Sequence, residues 1–324
     1  MFRRDIIRLG LAATAGAAAL AGPWSGPRAR AQGTPRKAGF AQSESNNPWR
    51  IAETKSMQEE AKKRGWQLVY TDAASSAAKQ VSDVNSMIAQ GVDIIFLVPR
   101  EERPLIPAVR AAKQANIPVI LIDRSVDPAL AKAGTDYLTF IGSNFVEEGQ
   151  RVGDWLVKRM NGTAKIIQLE GTVGSSPAND RKKGFEDAIK PHPGMMIVAS
   201  QSGDFVRDTG RQVAQTLLQA HPDATAIYAH NDEMAIGAIA ALEAAGKVPG
   251  KDVILCSVDG ERDGVQAIID NKIGAICECS PFFGPVAFDT AEKHFKGEAI
   301  PPQIINRDRF YTAENAREVL ASAF

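Results

Sequence analysis

Carboxylate and guanidinium side chains stand directly after two strongly apolar runs of this sequence, at positions where a buried strand would end. Asp123 and Arg124 follow "VILI", and Asp259 follows "VILCSV". A carboxylate at such a position is costly unless it is hydrogen-bonded, and its two oxygens can accept from two adjacent hydroxyls. A guanidinium offers the complementary fork of donors. Taken alone, these residues fit an Asp-Arg ion pair, an Asx turn or a helix cap equally well.

Two further arginines fall where helices are predicted to begin. In "SESNNPWRIAE" the "NP" pair favours a helix start with Trp49 and Arg50 in the first turn, and in "NDRKKGF" either Asn179 or Ser176 is expected to cap a helix that carries Arg181. Arginine is unfavourable at a helix N-terminus, whose partial charge is positive, and such local inconsistencies are often functional. A surface salt bridge is the alternative for each arginine, and a core position is the alternative for Trp49.

The stretch "YAHNDEMAIGA" joins an apolar strand to a helix through three polar residues. We expect Asp232 to cap or line the first turn of the helix, where negative charge is favourable. His230, at the last strand position, is interpreted as a structural histidine. Asn231 is then free to contact a ligand, because its amide both donates and accepts hydrogen bonds.

Together these candidates are charged acceptors, charged donors, an amide and an aromatic face. The mixture fits a small, neutral, hydroxyl-rich molecule, whose groups donate and accept at once. A strongly anionic ligand would need fewer carboxylates, and an apolar ligand would need fewer polar groups of every kind. Because a hydrogen bond to a charged group contributes roughly 1.5–3 kcal/mol net, several are enough for tight binding in a closed cleft.

The elements that must position these residues alternate along the chain. Segments with helical periodicity, such as 77–90, 145–160 and 207–220, lie between short apolar runs, a pattern that predicts parallel sheets covered by helices on both faces. Ten strands are many for one twisted sheet, so the predicted fold is α/β with two Rossmann-like lobes, each a parallel sheet flanked by helices. Polar groups collect at the carboxyl ends of such strands, which predicts a cleft between the lobes. No Gly-rich phosphate loop follows the first strand. The ten runs are KAGFAQ, WQLVYT, DIIFLV, PVILID, LTFIGS, KIIQLE, MMIVAS, AIYAH, VILCSV and GAICEC.

The N-terminus has the composition of an export signal. Residues 1–31 combine a basic start, a weakly apolar middle and small residues around Ala31, after which we expect cleavage. The pair Arg3 and Arg4 favours the twin-arginine route, and glycines and a proline interrupt an apolar run that is too short to span a membrane. The net charge of the whole chain is zero, so removal of the signal leaves a mildly acidic protein for which nucleic acid is not an expected partner.

The three cysteines all lie late in the chain. Cys277 and Cys279 are two apart on a predicted strand and are poorly placed to bond each other, whereas Cys256 on a neighbouring strand could reach either one. Buried free thiols are the favoured interpretation. The spacing does not match a metal site, and no metal or other cofactor is expected.

From about Lys37 to the C-terminus the chain resembles the periplasmic sugar-binding proteins of ABC importers, in the ribose/galactose-type cluster. The Trp-Arg pair of "WRIAET" resembles the branch that binds furanose sugars such as galactofuranose, because ribose binders tend to carry paired Phe there. The order and number of the matching motifs make the resemblance specific. They are SES, WRIAET, AQGVD, LIDRS, EGQRVGDWLVK, QLEGTVGSS, NDRKKGF, SQSGDF, YAHNDEMAIGA, PGKDV, SVDG and the GP after ECSP.

The resemblance implies a type I periplasmic binding protein, with two lobes joined by a three-segment hinge. The expected lobes are residues 36–142 plus 281–306 and residues 143–280 plus 307–324. A monosaccharide would bind between them, and lobe closure would present the complex to a membrane permease. The protein is expected to be a periplasmic monomer that catalyses no reaction.

The resemblance also implies a set of ligand contacts. Asn144 and Glu278 fall at two of the crossings between the lobes. Arg100 stands where this family has a smaller residue, and we expect it at the surface. The full set of implied contacts is Glu44, Trp49, Arg50, Asp123, Arg124, Asn144, Arg181, Asn231, Asp259 and Glu278.

Three other functions share this core. A ligand-sensing transcription regulator of the lactose-repressor type would need an N-terminal helix-turn-helix in place of the export signal. An enzyme on two α/β lobes could use His230, Asp232 and Asp259 as acids or bases, but the sequence has no nucleophile elbow or metal set. A chemoreceptor-docking role is compatible with transport.

Overall fold

A computed structural model describes residues 35–324, and the predicted export signal therefore lies outside the described residues. Two six-stranded sheets make up the β structure of this part of the chain, with strands numbered here in chain order. The first contains β1 (Lys37–Gln42), β2 (Gln67–Asp72), β3 (Ile94–Leu97), β4 (Val119–Ile122), β5 (Thr139–Gly142) and β11 (Gln303–Ile305). The second contains β6 (Thr163–Glu170), β7 (Gly194–Ser202), β8 (Ala226–Ala229), β9 (Ile254–Asp259), β10 (Ala275–Glu278) and β12 (Phe310–Thr312).

Both sheets have the strand order of doubly wound α/β folds: β11-β5-β4-β3-β1-β2 and β12-β10-β9-β8-β6-β7. All neighbours pair in parallel except β12, which is antiparallel to β10. The two-lobe α/β prediction is confirmed. The sequence pattern missed the edge strands β11 and β12, because three residues show too little periodicity to be recognised.

Helices connect the strands and cover the sheets. The predicted helical segments 77–90, 145–160 and 207–220 are confirmed to within one residue. No helix within residues 35–324 has the length and apolar character needed to cross a membrane. The helices are α1 (Pro48–Lys63), α2 (Ala77–Ala89), α3 (Ile106–Gln114), α4 (Phe145–Arg159), α5 (Ser176–Ile189), α6 (Arg207–Ala220), α7 (Asp232–Ala244), α8 (Arg262–Ile269), α9 (Gly284–Phe295) and α10 (Ala316–Val319), with a final 3-10 turn at Leu320–Ser322.

The chain passes between the two sheets three times, after β5, after β10 and between β11 and β12. We call the first sheet with its helices the N-terminal lobe and the second sheet with its helices the C-terminal lobe. Helix α4 packs on α5 and β10, whereas α9 returns to pack on α1. The carboxyl ends of the strands of both sheets face the cleft that these crossings join.

Two glycines let helices α4 and α5 approach unusually closely. A Cβ on Gly149 would lie 2.2 Å from the carbonyl oxygen of Arg181, and one on Gly184 would lie 2.0 Å from that of Val146. Neither position can carry a larger side chain without separating the helices. The close approach places Glu148, on α4, beside Arg181.

Candidate functional site

A cavity lies between the two lobes, where the carboxyl ends of their strands meet. Its empty volume is about 310 Å³, which includes space open to solvent, and side chains from both lobes form its wall. Seven of the ten predicted contacts are among the lining residues, so residues that are widely separated in sequence meet here. The lining residues are Asn47, Trp49, Arg50, Asp123, Arg124, Pro177, Arg181, Phe205, Asn231, Asp259 and Cys279.

Arg50 is held at the N-terminus of α1 by three carboxylates. Asn47 caps this helix by accepting from the Arg50 backbone N–H at 2.8 Å. The Arg50 guanidinium donates to Asp123 at 2.7 Å, to Glu53 at 2.8 Å and to Glu44 at 3.4 Å. These ion pairs offset the unfavourable interaction with the helix dipole, so the position that looks wrong for one helix is right for the assembled site.

Glu44 lies behind the cavity wall, where it organises three arginines. Its carboxylate accepts from Arg124 at 2.8 Å and from Arg100 at 2.6 Å, in addition to Arg50. Burial alone would raise the pKa of Glu44, but the guanidiniums of Arg124, Arg50 and Arg100 lower it to about 2. Glu44 therefore remains ionised and fixes the arginines that face the cavity.

Arg124 brings an unused hydrogen-bond donor to the cavity. It is almost completely buried, and its two terminal nitrogens donate to Glu44 and to the backbone carbonyl of Arg100. Its Nε has no hydrogen-bond partner among residues 35–324 and lies 3.9 Å from the Asp123 carboxylate. A buried unpaired donor is unfavourable, and a hydroxyl in the cavity would satisfy it.

Asp123 and Asp259 occupy equivalent places at the ends of β4 and β9, one in each lobe. Their backbones take φ angles of 57° and 129°, in the region that favours glycine. Strained backbone of this kind is stable only where the surrounding structure enforces it, and it clusters at ligand sites. Both carboxylates contribute to the cavity wall.

Arg181 is the cation of the C-terminal side of the cavity wall. Its guanidinium donates to Glu148 at 2.7 Å, to the His230 carbonyl at 2.6 Å and to Asp259 at 3.4 Å. The expected cap at Asn179 or Ser176 was wrong: α5 begins at Ser176, so Arg181 lies in its second turn. The helix starts earlier because Pro177 suits its first turn.

Burial raises the pKa of Asp259 well above its ordinary value. Arg181 opposes this increase, whereas Asp232, Glu148 and Asp123 add to it. The carboxyl group of Asp259 is thus less well compensated than that of Glu44, which contacts three arginines. A ligand that donates hydrogen bonds to Asp259 would favour its ionised form.

At the junction between β8 and α7, the roles of Asn231 and Asp232 differ from the prediction. Asn231, not Asp232, is the N-cap: its Oδ1 accepts from the Met234 N–H at 3.1 Å, and its Nδ2 donates to the Phe205 carbonyl at 3.2 Å. The amide retains one N–H for a ligand. Asp232 instead accepts from the hydroxyl of Ser257 at 2.5 Å and from two backbone N–H groups of the turn after β9, which fixes that turn.

His230 has the structural role that was predicted. It is fully buried, and its Nδ1 accepts from the Gly171 N–H at 3.3 Å while its Nε2 lies 3.3 Å from the Gln168 amide nitrogen. Burial lowers its pKa well below the ordinary value, and the nearby charges of Arg181 and Lys182 lower it further. His230 therefore stays neutral near pH 7.

Two aromatic side chains, Trp49 and Phe205, line the cavity. The Trp49 indole N–H donates to the Cys279 carbonyl at 2.7 Å, and the ring is packed in the core while it also borders the cavity. Phe205 was not predicted. It lies so close to Gly171 that a Cβ there would come within 1.9 Å of the ring, and the guanidiniums of Arg124 and Arg181 lie 5.5 and 5.9 Å from its centroid.

The sequence reasoning also missed three other lining residues, Asn47, Pro177 and Cys279. Asn47 was considered only as part of a helix start, although the amide nitrogen of a capping asparagine can also donate to a ligand. Pro177 and Cys279 carry no charge that would have distinguished them. Phe205, in the motif "SQSGDF", is placed by its packing on Gly171 of "QLEG", a contact that the spacing along the chain does not indicate.

Besides Glu44, two predicted contacts are absent from the cavity lining, and Arg100, which was expected at the surface, is buried. Asn144 caps α4 by accepting from the Glu147 N–H at 3.2 Å, and Glu278 pairs with Arg309 at 2.7 Å. Arg100 is buried, because Glu44 draws it inward.

All three cysteines are buried free thiols, as favoured from the sequence. Cys256 therefore pairs with neither Cys277 nor Cys279. Within residues 35–324 no cluster of His, Cys, Asp and Glu could hold a metal ion.

Known proteins resemble this chain over most of its length. Residues 38–299 match the family model described as periplasmic binding protein domain. The chain is 41% identical over 291 residues to the galactofuranose-binding protein YtfQ of Escherichia coli, covering 88% of this chain and 91% of that protein.

Solved structures match over a similar span. A crystal structure of a galactofuranose binding protein superimposes with a TM-score of 0.86 at 40% identity, covering 89% of this chain and 98% of that one. The binding protein of the arabinose ABC transporter from Shewanella sp. ANA-3, bound to α- and β-L-arabinofuranose, matches with a TM-score of 0.84 at 37% identity, covering 88% and 95%. This chain belongs to the periplasmic binding protein domain family.

Proposed function

We propose that this chain is an extracytoplasmic solute-binding protein that holds one monosaccharide, in its furanose form, between two lobes and delivers it to an ABC permease. The observation that carries the proposal is the chemistry of the cavity between the lobes. Its wall combines guanidinium donors, carboxylate acceptors, asparagine amides and two aromatic rings, the set that a neutral ring rich in hydroxyls requires. Similarity to proteins named for galactofuranose and arabinofuranose supports the furanose form.

The cavity is lined by eleven residues, seven of them polar. This small, mostly polar lining favours a single sugar ring over an oligosaccharide or a peptide. The proposed polar contacts are Asn47, Arg50, Asp123, Arg124, Arg181, Asn231 and Asp259, with Trp49 and Phe205 against the faces of the ring.

We assign supporting roles to the other predicted residues. Glu44 would act through the arginines it holds, Asn144 as a helix cap, and Glu278 as the partner of Arg309 near a lobe crossing. The protein would act as a periplasmic monomer exported by the twin-arginine route. Its lobes would divide after residues 142, 280 and 306.

Calorimetry with the mature protein, beginning at residue 32, tests the proposal. Any co-purified ligand is removed by unfolding and refolding, and the protein is titrated with galactose, arabinose and ribose and with analogues locked in the furanose or pyranose ring. We expect binding of one sugar per chain, with the furanose-locked form preferred over its pyranose counterpart. Stabilisation by a peptide or an anion, with no response to any sugar, would contradict the proposal.

A further inference from the structure

An ion pair connects the two lobes at a point outside the cavity lining. Arg100 follows β3 in the N-terminal lobe, and Asp204 follows β7 in the C-terminal lobe. One terminal nitrogen of Arg100 donates to both carboxylate oxygens of Asp204, at 2.7 and 3.0 Å, and the other donates to Glu44 at 2.6 Å. Arg100 therefore connects the group of arginines organised by Glu44 to the opposite lobe.

The two ends of this pair differ in exposure. The Arg100 side chain is 7% exposed, whereas that of Asp204 is 42% exposed. Arg100 is fixed by Glu44 whether or not Asp204 is near, and its backbone N–H donates to Gln80 at 2.8 Å. The arginine is thus a preformed partner that Asp204 meets when the lobes close, and little side-chain entropy is lost on its side.

Asp204 directly precedes Phe205, the aromatic residue that lines the cavity. Both take left-handed backbone conformations, with φ of 56° and 60°. The Asp204 N–H donates to the Ser202 hydroxyl at 3.1 Å, and the Phe205 carbonyl accepts from Asn231 at 3.2 Å. The position of the Asp204 carboxylate is therefore coupled to that of the Phe205 ring, because both belong to one tightly constrained turn.

Other contacts cross the cleft nearby, but they are hydrogen bonds rather than ion pairs. The Glu102 N–H donates to the Gly174 carbonyl at 2.9 Å, the Ser125 N–H donates to the Ser176 hydroxyl at 2.8 Å, and Asn179 donates to the Glu102 carboxylate. The contact between Arg100 and Asp204 differs from these neighbours because it joins two full charges across the cleft.

We propose that Arg100 and Asp204 form an interlobe clasp, which keeps the lobes closed and positions Phe205 over the bound molecule. The clasp rests on the proposed function of the cavity. Neither residue lines the cavity, so both act through position and not through contact with the ligand. Because the clasp forms only after the lobes have come together, it slows ligand release and leaves the encounter step unchanged.

The variant Asp204→Asn tests the clasp. Asparagine tolerates the left-handed backbone at this position, so the substitution removes the charge without straining the turn. The matched control is Asp127→Asn, because Arg103 donates to Asp127 at 2.9 Å within the N-terminal lobe. Stopped-flow kinetics with the sugar identified by calorimetry should show ligand dissociation about tenfold faster in Asp204→Asn, association within about twofold of wild type, and no change in the control.

A salt series separates an electrostatic clasp from a general loosening of the loop. Dissociation from the wild type should accelerate as salt is raised from about 0.05 to 0.5 M, because the half-exposed ion pair is screened, whereas the Asp204→Asn variant should respond much less. Thermal unfolding of the ligand-free proteins should be the same. If the wild type binds sugar and Asp204→Asn releases it at the same rate, the clasp alone is overturned. If the wild type binds no sugar, the proposed function is overturned as well.

Discussion

The two sides of the cavity balance their charges in opposite ways. On the N-terminal side, Arg50, Arg100 and Arg124 interleave with the carboxylates of Glu44 and Asp123, so most charges contact more than one partner. On the C-terminal side Arg181 is the shared cation of Glu148, Asp232 and Asp259, and Glu261 lies near Asp259 and Asp232. On the N-terminal side several arginines share the buried carboxylates, whereas the C-terminal side depends on a single cation.

The pKa values show the same contrast. On the N-terminal side the arginines lower the pKa of Glu44 to about 2. Burial raises the pKa of Glu53, which does not line the cavity, to about 7. Burial raises the pKa of Asp232 to about 7, and those of Asp259 and Glu261 lie well above their ordinary values. The N-terminal side is thus a preformed platform of fixed charges, while the C-terminal side is completed by protons, by Arg181 and by hydroxyls of the ligand.

The largest expected difference in stability comes from removing one arginine from each side of the cavity. Arg181→Met leaves Glu148 and Asp259 buried without their guanidinium, and we expect the free energy of unfolding to fall by about 3–5 kcal/mol. Arg124→Met leaves Glu44 with two other arginines, so the expected loss is about 1–2 kcal/mol. Both guanidiniums lie over Phe205 at similar distances, so that contribution is matched. Urea unfolding at pH 7, followed by tryptophan fluorescence, measures both losses.

A second substitution identifies the cause of the larger loss. Adding Glu148→Gln to Arg181→Met should recover part of the stability, because a neutral amide costs less to bury than an unpaired carboxylate. Equal losses for the two single variants would show that the N-terminal side is not redundant. Failure of Glu148→Gln to recover stability would assign the loss to packing.

The pH dependence of stability should come mainly from the C-terminal side. In the part of the chain that the structure describes, neither carboxyl oxygen of Glu261 accepts a hydrogen bond, and burial, with Asp259, Asp232 and Glu233 nearby, raises its pKa well above the ordinary value. A carboxyl whose pKa is higher in the folded chain contributes stability below its unfolded value of about 4, and this is lost as pH rises through the folded pKa. Glu261→Gln removes that loss, so its Tm should exceed that of the wild type at pH 8.

At pH 8 the free energy of unfolding of Glu261→Gln should exceed that of the wild type by on the order of 1 kcal/mol or more, which corresponds to about 2–4 °C in Tm per kcal/mol. The difference should shrink by pH 4.5. Calorimetric melting at the two pH values measures it. Glu59→Gln is the matched control, because that glutamate is exposed on α1 and its substitution should leave Tm unchanged at both. A Glu261→Gln advantage that is the same at pH 4.5 and pH 8 would exclude ionisation as its cause.

The sequence predicted the parts of this molecule that depend on neighbouring residues along the chain. Alternating apolar runs and helical segments gave both lobes, and charged residues at strand ends gave Asp123, Arg124 and Asp259. Arginines at predicted helix starts gave Arg50 and Arg181, whereas the resemblance added Glu44, Asn144 and Glu278, none of which lines the cavity. These signals are local, because a strand end and the residues beside it are set by a few consecutive positions.

What the sequence did not predict depends on contacts between the lobes or across a turn. Phe205 is placed by Gly171 from another strand end, and Arg100 is drawn inward by Glu44 and met by Asp204 from the opposite lobe. The choice between Asn231 and Asp232 as the cap was decided by the turn after β9, which requires the Asp232 carboxylate for its own N–H groups. Spacing along one chain does not contain this information.

The smallest effect separates helix capping from ligand contact. Asn144 and Asn231 both cap helices of the C-terminal lobe, with Oδ1 accepting from the Glu147 and Met234 N–H groups at 3.2 and 3.1 Å. Asn144→Ala should therefore lower stability by about 1 kcal/mol, and Asn231→Ala by more, because the Phe205 carbonyl also loses its donor. Only Asn231 lines the cavity, so Asn231→Ala should weaken sugar binding at least about tenfold, whereas Asn144→Ala should change affinity by less than about twofold.

Calorimetric titration and thermal melting of the same two proteins measure both quantities. Because both variants lose a helix cap, a loss of affinity confined to Asn231→Ala belongs to the cavity and not to capping as such. Weakened binding in Asn144→Ala would restore Asn144 as a ligand contact near the lobe crossing. Retained binding in Asn231→Ala would mean that the remaining N–H of this amide contacts no ligand, and that the C-terminal side recognises the sugar through Arg181 and Asp259 alone.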